Sequence, residues 1–490
     1  MTTTILLLTL ILPLITSLIL LLFHPPQNRA LQLNCLIHFF VLCSSIYFFQ
    51  LVRTETQLLF FENWIRLDAL STFYFLIISI SSFLIALYSQ IYFSKEALPE
   101  SSVLRFIMLW SFTTSMGVLV LISNNIALMW VALEATTVFS AFLICAQKSK
   151  ASLEAMWKYL ILCTIGVAFA FIGTLLIQVS AQNLNVPIHD ILLWNTLNEY
   201  APLLDIKFVK AGFIFLLVGY GTKAGLAPMH TWMPDVYSSA PAPFGALSSG
   251  VLINLAVYAL IRFIPIAEKA TAYSGWAHHL LLGMGCLTLV IATAFILFQK
   301  NIKRLLAYSS IEHIGIIALA MGLPGIGVWA GLLHSFNHAL AKIFAFFCAG
   351  RLRQIYGTHD MNNFSSTMHI CPLWSSGLLL ALLTLIGAAP FAIFLSKFKI
   401  LQALVGSQTW FALAILILAS SLIFITILKY VMMMSWKKLD SHLPKEPTSF
   451  LEKIIVASFF IFLITLCLWI PSALRENIDQ ASQIIMGVRL

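Results

Sequence analysis

Apolar runs long enough to cross a bilayer follow one another along this chain almost without a gap, and few folds survive that constraint. They fall near Thr2–Phe23, Leu31–Val52, Asp68–Phe93, Leu104–Ile122, Ile126–Cys145, Leu153–Gln178, Phe208–Met229, Pro243–Pro265, Ala277–Phe298, Leu305–Gly322, Ile326–Cys348, Leu373–Leu395, Thr409–Met434 and Glu452–Ile470. About 20 apolar residues in a helix match the hydrocarbon thickness. A lipid-embedded run must satisfy its own backbone, which selects the helix. The expectation is an all-α integral membrane protein of about fourteen transmembrane helices. No hydrophilic domain fits between them, since the longest polar stretches are Ser180–Lys207, Arg351–Pro372 and Ser435–Leu451.

Composition agrees. Only 10% of the residues are charged and 60% are hydrophobic, where a soluble domain carries about a quarter charged residues. The net charge of +9 does not point to nucleic acid, because the cations sit singly at span ends with no basic patch. Their bias instead sets an orientation. With the N-terminus outside, the cytoplasmic loops carry Arg29, Lys95, Lys148, Lys150, Lys300, Lys303, Arg304, Arg351, Arg353, Lys437, Lys438 and Lys445. The other side holds Arg53, Arg66, Lys207, Lys269, Arg475 and Arg489. This asymmetry favours both termini outside, and the expected location is the inner (plasma) membrane. The eight cysteines include no Cys-x-x-Cys pair, which argues against an iron–sulfur site or a disulfide framework. The first run lacks a basic n-region and a small-residue cleavage site, so it reads as a retained helix.

Two spans carry a proline beside charge: Gly221-Thr222-Lys223-Ala224-Gly225-Leu226-Ala227-Pro228, and Gly387-Ala388-Ala389-Pro390 followed by Lys397. Proline removes a backbone donor and kinks a helix. Broken helices at corresponding places in two halves mark transporters built from inverted repeats. Helices seven and twelve are therefore expected to break at Pro228 and Pro390. The expected division is residues 1–103 for helices one to three, 104–270 and 271–435 for two inverted five-helix repeats, and 436–490 for helix fourteen and a tail.

A charge in hydrocarbon costs at least about 2.5–3.5 kcal/mol on insertion scales, so such residues face partners or water and mark ion pathways. Glu134 lies in mid-span, Lys223 precedes Pro228, and Glu312 and His313 follow Ser309 and Ser310. His334, His338 and Lys342 recur at intervals of four, which stacks them on one helix face about 12 Å from end to end. Histidine titrates near neutrality, and a carboxylate beside a buried lysine governs whether that lysine holds a proton. Glu134 and Lys223 fit such a switch, or alternatively a static ion pair locking two helices. Lys397, Lys158 and Arg262 lie nearer span ends, where long cations also snorkel. His230, just after the break, suits a structural and a functional role equally.

At these residues the sequence resembles the antiporter-like membrane subunits shared by respiratory complex I, Mrp cation antiporters and membrane-bound hydrogenases, over roughly Ile107 to Leu401. The most specific stretches are Lys223-Ala224-Gly225-Leu226-Ala227-Pro228-Met229-His230-Thr231-Trp232-Met233-Pro234-Asp235, Ala240-Pro241-Ala242-Pro243, Lys303-Arg304-Leu305-Leu306-Ala307-Tyr308-Ser309-Ser310-Ile311-Glu312-His313-Ile314-Gly315, and His334-Ser335-Phe336-Asn337-His338-Ala339-Leu340-Ala341-Lys342. The Ser-Ser-Ile-Glu-His-Ile-Gly wording is most similar to component F of hydrogenase-4.

The resemblance implies a proton-translocating subunit of a hydrogenase-4-like or complex I-like respiratory oxidoreductase. A peripheral redox arm would drive it, beside other membrane subunits. It further implies that Glu134 pairs with Lys223, and that His334, His338 and Lys342 connect to Lys397 at the exit. Two departures stand out. Asn254 occupies the eighth-span position where many complex I members have Lys or His, and Lys397 stands where the hydrogenase-4 type more often has Glu. The chain also stops soon after the fourteenth span, without the long lateral helix of the largest complex I member. No cofactor and no metal are expected in this subunit. The alternatives are an Mrp-type Na⁺/H⁺ antiporter subunit and a scaffold whose charges are structural.

Overall fold

The computed structural model describes residues 2–184, 186–187, 189–436 and 447–488; Lys437, Lys438, Lys445 and Arg489 lie outside these. Helices dominate, as the apolar runs require. The chain opens with α1 (Thr2–Phe23) and α2 (Gln27–Glu55), then a hairpin of β1 (Gln57–Phe60) and β2 (Ile65–Asp68). It continues through α3 (Ala69–Ser94), α4 (Glu100–Ile122), α5 (Ile126–Ile144), α6 (Lys150–Ser180), α7 (Trp194–Glu199), α8 (Ile206–Ala224) and α9 (Trp232–Ser239). The next rod is α10 (Ala242–Leu247), a π turn over Ser248–Leu252, α11 (Ile253–Ile261) and α12 (Ile264–Ala270). The second half holds α13 (Trp276–Ile296), α14 (Ile302–Met321), α15 (Ile326–Tyr356), α16 (Thr367–Ile370), α17 (Pro372–Ile386), α18 (Ala392–Gly406), α19 (Trp410–Trp436), α20 (Phe450–Leu468) and α21 (Ser472–Ile485). Among the described residues twelve helices, with Ala242–Ala270 counted as one, are long and apolar enough to cross a membrane.

Two further elements are interrupted, at the two places the prolines mark. α8 ends at Gly225, whose φ of +91° is left-handed. α17 ends at Gly387 with φ +80°. Each closes with the same six-residue cap, Leu226 N–H to the Gly221 carbonyl and Ala388 N–H to the Leu383 carbonyl. Glycine supplies the left-handed residue without a Cβ penalty. The peptide bonds before Pro228 and Pro390 are both cis.

Two features lie outside the expected all-helical spans. Residues 57–68 pair as a short antiparallel hairpin, with Gln57 opposite Asp68 and Phe60 opposite Ile65. The expected tail instead forms α21, whose Leu474, Ile478, Ala481 and Ile485 are buried and whose Asn477 amide donates to Thr72 Oγ1 at 3.4 Å. Hairpin, α7 and α21 share one end of the bundle. The other end, where α4, α6 and α14 begin, carries Lys148, Lys150, Lys300, Arg304 and Arg353, and is called here the basic end.

Close approach of small residues fixes several helix pairs. A Cβ on Gly173 of α6 would sit 2.8 Å from the Gly212 carbonyl oxygen of α8, and one on Gly219 would sit 2.5 Å from the Ala170 nitrogen. A Cβ on Gly285 of α13 would sit 2.7 Å from the Gly315 carbonyl oxygen of α14. Such backbone contact is how membrane helices gain packing where the hydrophobic effect offers none.

Candidate proton-transfer site

α5 starts where the Asn125 side chain accepts from the Ala127 and Leu128 amides. α14 starts in the same way at Asn301, which accepts from Lys303 and Arg304. Satisfying these first free amides fixes where each helix begins, and so sets the depth of Glu134 on α5 and of Glu312 on α14.

Around Lys223 the expected pair is not formed. Lys223 is buried on α8, one turn before the break. Its ammonium donates to the Leu133 carbonyl and Thr136 Oγ1, each at 2.7 Å, and to Thr137 Oγ1. Glu134 is half-buried and accepts from Thr164 Oγ1 of α6 at 2.8 Å. The reason is helical geometry. Successive residues turn about 100° round the axis, so Leu133 and Thr137 face α8 while Glu134 is carried round toward α6. Three neutral oxygens solvate the lysine, and Glu134 Oε2 has no hydrogen-bond partner among the described residues.

The ion pair lies in the other half. Lys397 of α18 meets Glu312 Oε1 of α14 at 3.1 Å, with side chains 9% and 1% exposed, so Lys397 does not snorkel. Beside this pair, His313 Nδ1 and His334 Nε2 are 2.9 Å apart, which requires one of them to hold the shared proton. His334 Nδ1 lies 2.9 Å from Ser396 Oγ, next to Lys397 in sequence. The rings of His313 and His338 have centroids 4.8 Å apart. His338 has no hydrogen-bond partner on either nitrogen among the described residues. Lys342, one turn further along α15, donates to the Leu306 carbonyl of α14 at 2.7 Å. All of these side chains are buried. The fourfold spacing on α15 thus lines up as expected, and α14 and α18 supply the other two walls.

His230 and Asn254 are placed elsewhere. His230 lies tilted toward Phe295 and edge-on to Tyr308, at centroid distances of 6.4 and 6.3 Å, with Nδ1 unpartnered among the described residues. Asn254 of α11 donates to the Gly250 carbonyl in the preceding π turn at 2.9 Å.

The partners of several other charges are set by the fold and not by local sequence. Lys303, expected in a loop, is buried at the first turn of α14 and donates to the Ala240 carbonyl at 2.7 Å. It lies one turn from Leu306, the carbonyl that holds Lys342. Beside it, loop residue His359 has a pKa pushed down to about 3, by burial first and then by Lys303 and Arg353. At the hairpin end Arg262 grips Asp68 through two bonds of 2.7 and 2.6 Å, and Arg66 adds a third at 2.9 Å. Burial would raise the Asp68 carboxyl, but Arg262 and then Arg66 hold it well below its ordinary value. Arg262 is therefore a buried latch and not a surface anchor. Lys158 is exposed and pairs with Glu154 and Asp235 at 2.7 and 3.0 Å. Glu452 is buried against Arg351 and Lys95, each at 3.3 Å. The only local signal for these residues is the cost of burying a charge, and that names no partner.

Among the described residues no group of three or more His, Cys, Asp or Glu side chains is arranged to hold a metal ion.

Residues 123–424, which contain both lysine sites, match the family model described as NADH:quinone oxidoreductase/Mrp antiporter, TM. The chain belongs to this family. It is 37% identical over 347 residues to the hydrogenase-4 component F homolog of Methylacidiphilum infernorum, covering 70% of this chain and 72% of that one. It is 28% identical to hydrogenase-4 component B of Escherichia coli, where the match covers 70% of this chain but only 51% of the relative. Its fold matches a chain in the structure of the membrane-bound sulfane sulfur reductase, an archaeal respiratory membrane complex, with TM-score 0.87 at 24% identity over 98% and 97% of the two chains. These matches bear out the family resemblance and the multi-pass helical membrane fold, while the roles of individual residues rest on the geometry above.

Proposed function

We propose that this chain is the proton-translocating membrane subunit of a hydrogenase-4-like or complex I-like respiratory oxidoreductase. Redox chemistry in a partner arm would drive H⁺ through it, with no cofactor of its own. The observation that carries the reading is the buried Glu312–Lys397 pair, set in a line of buried protonatable groups. Lys342, His338, His313 and His334 lead to Ser396 and Lys397, and orphaned nitrogens on His338 and His313 leave acceptors free for passing protons. Polar atoms buried without partners cost stability, so their retention along one line favours transport over a scaffold. Lys303 extends the series to the basic end, and His359 stands at its mouth.

Glu134 and Lys223 form the first site of the same subunit. Glu134 looks out between α5 and α6, where Val131, Val138, Ile161 and Ile165 are exposed. That face suits another membrane subunit better than lipid alone. The matching glycine-capped breaks support two repeats over 104–270 and 271–435, flanked by 1–103 and 436–490. The chain would lie in the inner membrane, and the positive-inside rule supports an orientation with the basic end cytoplasmic and both termini outside.

The coupled ion is H⁺. A sodium site needs several oxygens converging in one place. Here Glu312 is committed to Lys397, and the groups around it are nitrogen bases. Proton uptake by vesicles containing the whole complex, in sodium-depleted buffer with a protonophore control, tests this. Acidification that persists without Na⁺ and collapses with the protonophore is expected. Activity that needs Na⁺ and survives the protonophore would establish the Mrp-type alternative.

A further inference from the structure

A groove of about 320 Å³ opens at the basic end between the start of α4, the end of α5 and the start of α6. Its wall is apolar, with Phe106, Leu109, Phe142 and Leu153 along it, and Arg105 and Lys148 stand at its rim. Phe142 and Leu153 are 49% and 46% exposed.

Among the described residues some cations at the basic end are neutralised and others, Lys150 and Lys300 among them, are not. At the same end Lys158 pairs with Glu154 and Asp235, Arg304 with Asp235 at 2.6 Å, and Arg353 with Glu96 at 2.5 Å. Arg105 donates only to Ser102 Oγ, at 3.3 Å. Among the described residues neither Arg105 nor Lys148 has a carboxylate partner. Topology alone explains cations at this end. It does not explain why two unneutralised cations from different elements line the same cleft between helices.

We propose that this groove binds an anionic phospholipid from the leaflet at the basic end. Its headgroup phosphate lies between Arg105 and Lys148, and one acyl chain runs along Leu109, Phe142 and Leu153. The polarity order fits this occupant, with two cations at the membrane edge and an unbroken apolar wall leading inward. Basic pockets between helix ends recognise anionic headgroups in this way. A protein segment would have to bring carboxylates to the rim and an apolar strip of the same width below them. A free phosphate would use the rim and leave the wall exposed. The inference concerns a lipid site and does not depend on which ion the subunit moves.

The test uses the intact complex in nanodiscs of phosphatidylcholine with increasing phosphatidylglycerol, released and examined by native mass spectrometry. Wild type is expected to retain about one phosphatidylglycerol that the Arg105→Ala/Lys148→Ala variant loses, with about thirtyfold weaker retention for two surface cations. Leu109→Trp, which fills the groove and leaves the rim intact, is expected to lose the same lipid. Arg105→Lys/Lys148→Arg is expected to keep it. Subunit stoichiometry in the same spectra reports assembly. Equal retention by the double-alanine variant, or of phosphatidylcholine by wild type, would overturn the proposal. Displacement by millimolar inorganic phosphate would assign the rim to a free anion. A wild-type complex that holds no lipid there would show the groove to be covered by a neighbouring subunit.

Discussion

The two lysine sites are built from the same parts and stand in opposite states. Each has a carboxylate on a helix capped by asparagine and a lysine near a glycine-capped break, Lys223 before it and Lys397 after it. Lys397 is closed onto Glu312 at 3.1 Å, whereas Lys223 is held by a carbonyl and two threonine hydroxyls with Glu134 turned to α6. A lysine held by neutral oxygens does not need the acid as a hydrogen-bond partner, so the acid is free to move. A lysine closed onto a carboxylate in a dry site is fixed until one of the two is neutralised. Proton transfer at one site need not have the same trigger as at the other.

The largest effect should come from Glu312→Gln, which strands Lys397 as a buried cation. Breaking a buried pair on one side costs about 3–5 kcal/mol, read as a fall in thermal stability of the complex. Adding Lys397→Met should recover most of that loss without recovering proton transport. If Glu312→Gln alone is as stable as wild type, the pair is not the closed state described here.

At the first site the balance should reverse. Glu134→Gln and Lys223→Ala should each abolish transport in reconstituted vesicles while the complex still assembles. Full pumping by either variant would remove the switch role. Failure of both to assemble would favour a static lock, as at the second site.

Lys303 tests how far the second site extends. Lys303→Arg keeps a donor for the Ala240 carbonyl but holds its proton permanently. If Lys303 passes protons, both Lys303→Met and Lys303→Arg should lower transport at least tenfold, the arginine variant with normal assembly. Rescue of transport by arginine would make Lys303 a structural pin.

A pH effect of known sign belongs to the same mouth. His359 is depressed to about 3, below an unfolded value of about 6.5. Its contribution to stability is complete above the unfolded value and is lost as pH falls toward the folded one. Thermal stability should therefore decline below about pH 6.5, less steeply in His359→Gln, as followed by unfolding of the solubilised complex. The Asp68 latch, held low by Arg262 and Arg66, adds to the decline only once the pH falls to the unfolded carboxyl value of about 3.9.

The smallest change is Thr164→Val, which removes one half-exposed hydrogen bond to Glu134 at a cost of about 0.5–1.5 kcal/mol. It should lower stability by no more than that and alter transport rate. No change in rate would mean that Thr164 does not hold the acid in place.

Much of this was legible in the residues. Apolar length located the spans, glycine with proline located both breaks, and the fourfold spacing of His334, His338 and Lys342 put them on one face. What the sequence withheld was contact between helices. Glu312 and Lys397 meet across two helices, and nothing local in either says so. The same holds for Arg262 and Asp68, which looked like span-end residues because hydropathy measures depth along one helix and not burial against its neighbours. The 57–68 hairpin and α21 were missed for another reason. They are short and partly polar, and a search tuned to runs of twenty apolar residues passes over them.

The glycine seams between α6 and α8 and between α13 and α14 have a mechanical meaning. Helices that touch backbone to backbone cannot slide or roll without collision, so α8 is clamped to α6 and α14 to α13. Lys223 and Glu312 therefore ride on a rigid chassis. Whatever travels during a turnover must be small: a side chain swinging between oxygens, a carboxylate changing rotamer, or the few unwound residues after Gly225 and Gly387. Such a machine gates by reach and not by stroke, and bulky residues at Gly173 or Gly285 would jam its frame without touching a single protonatable group.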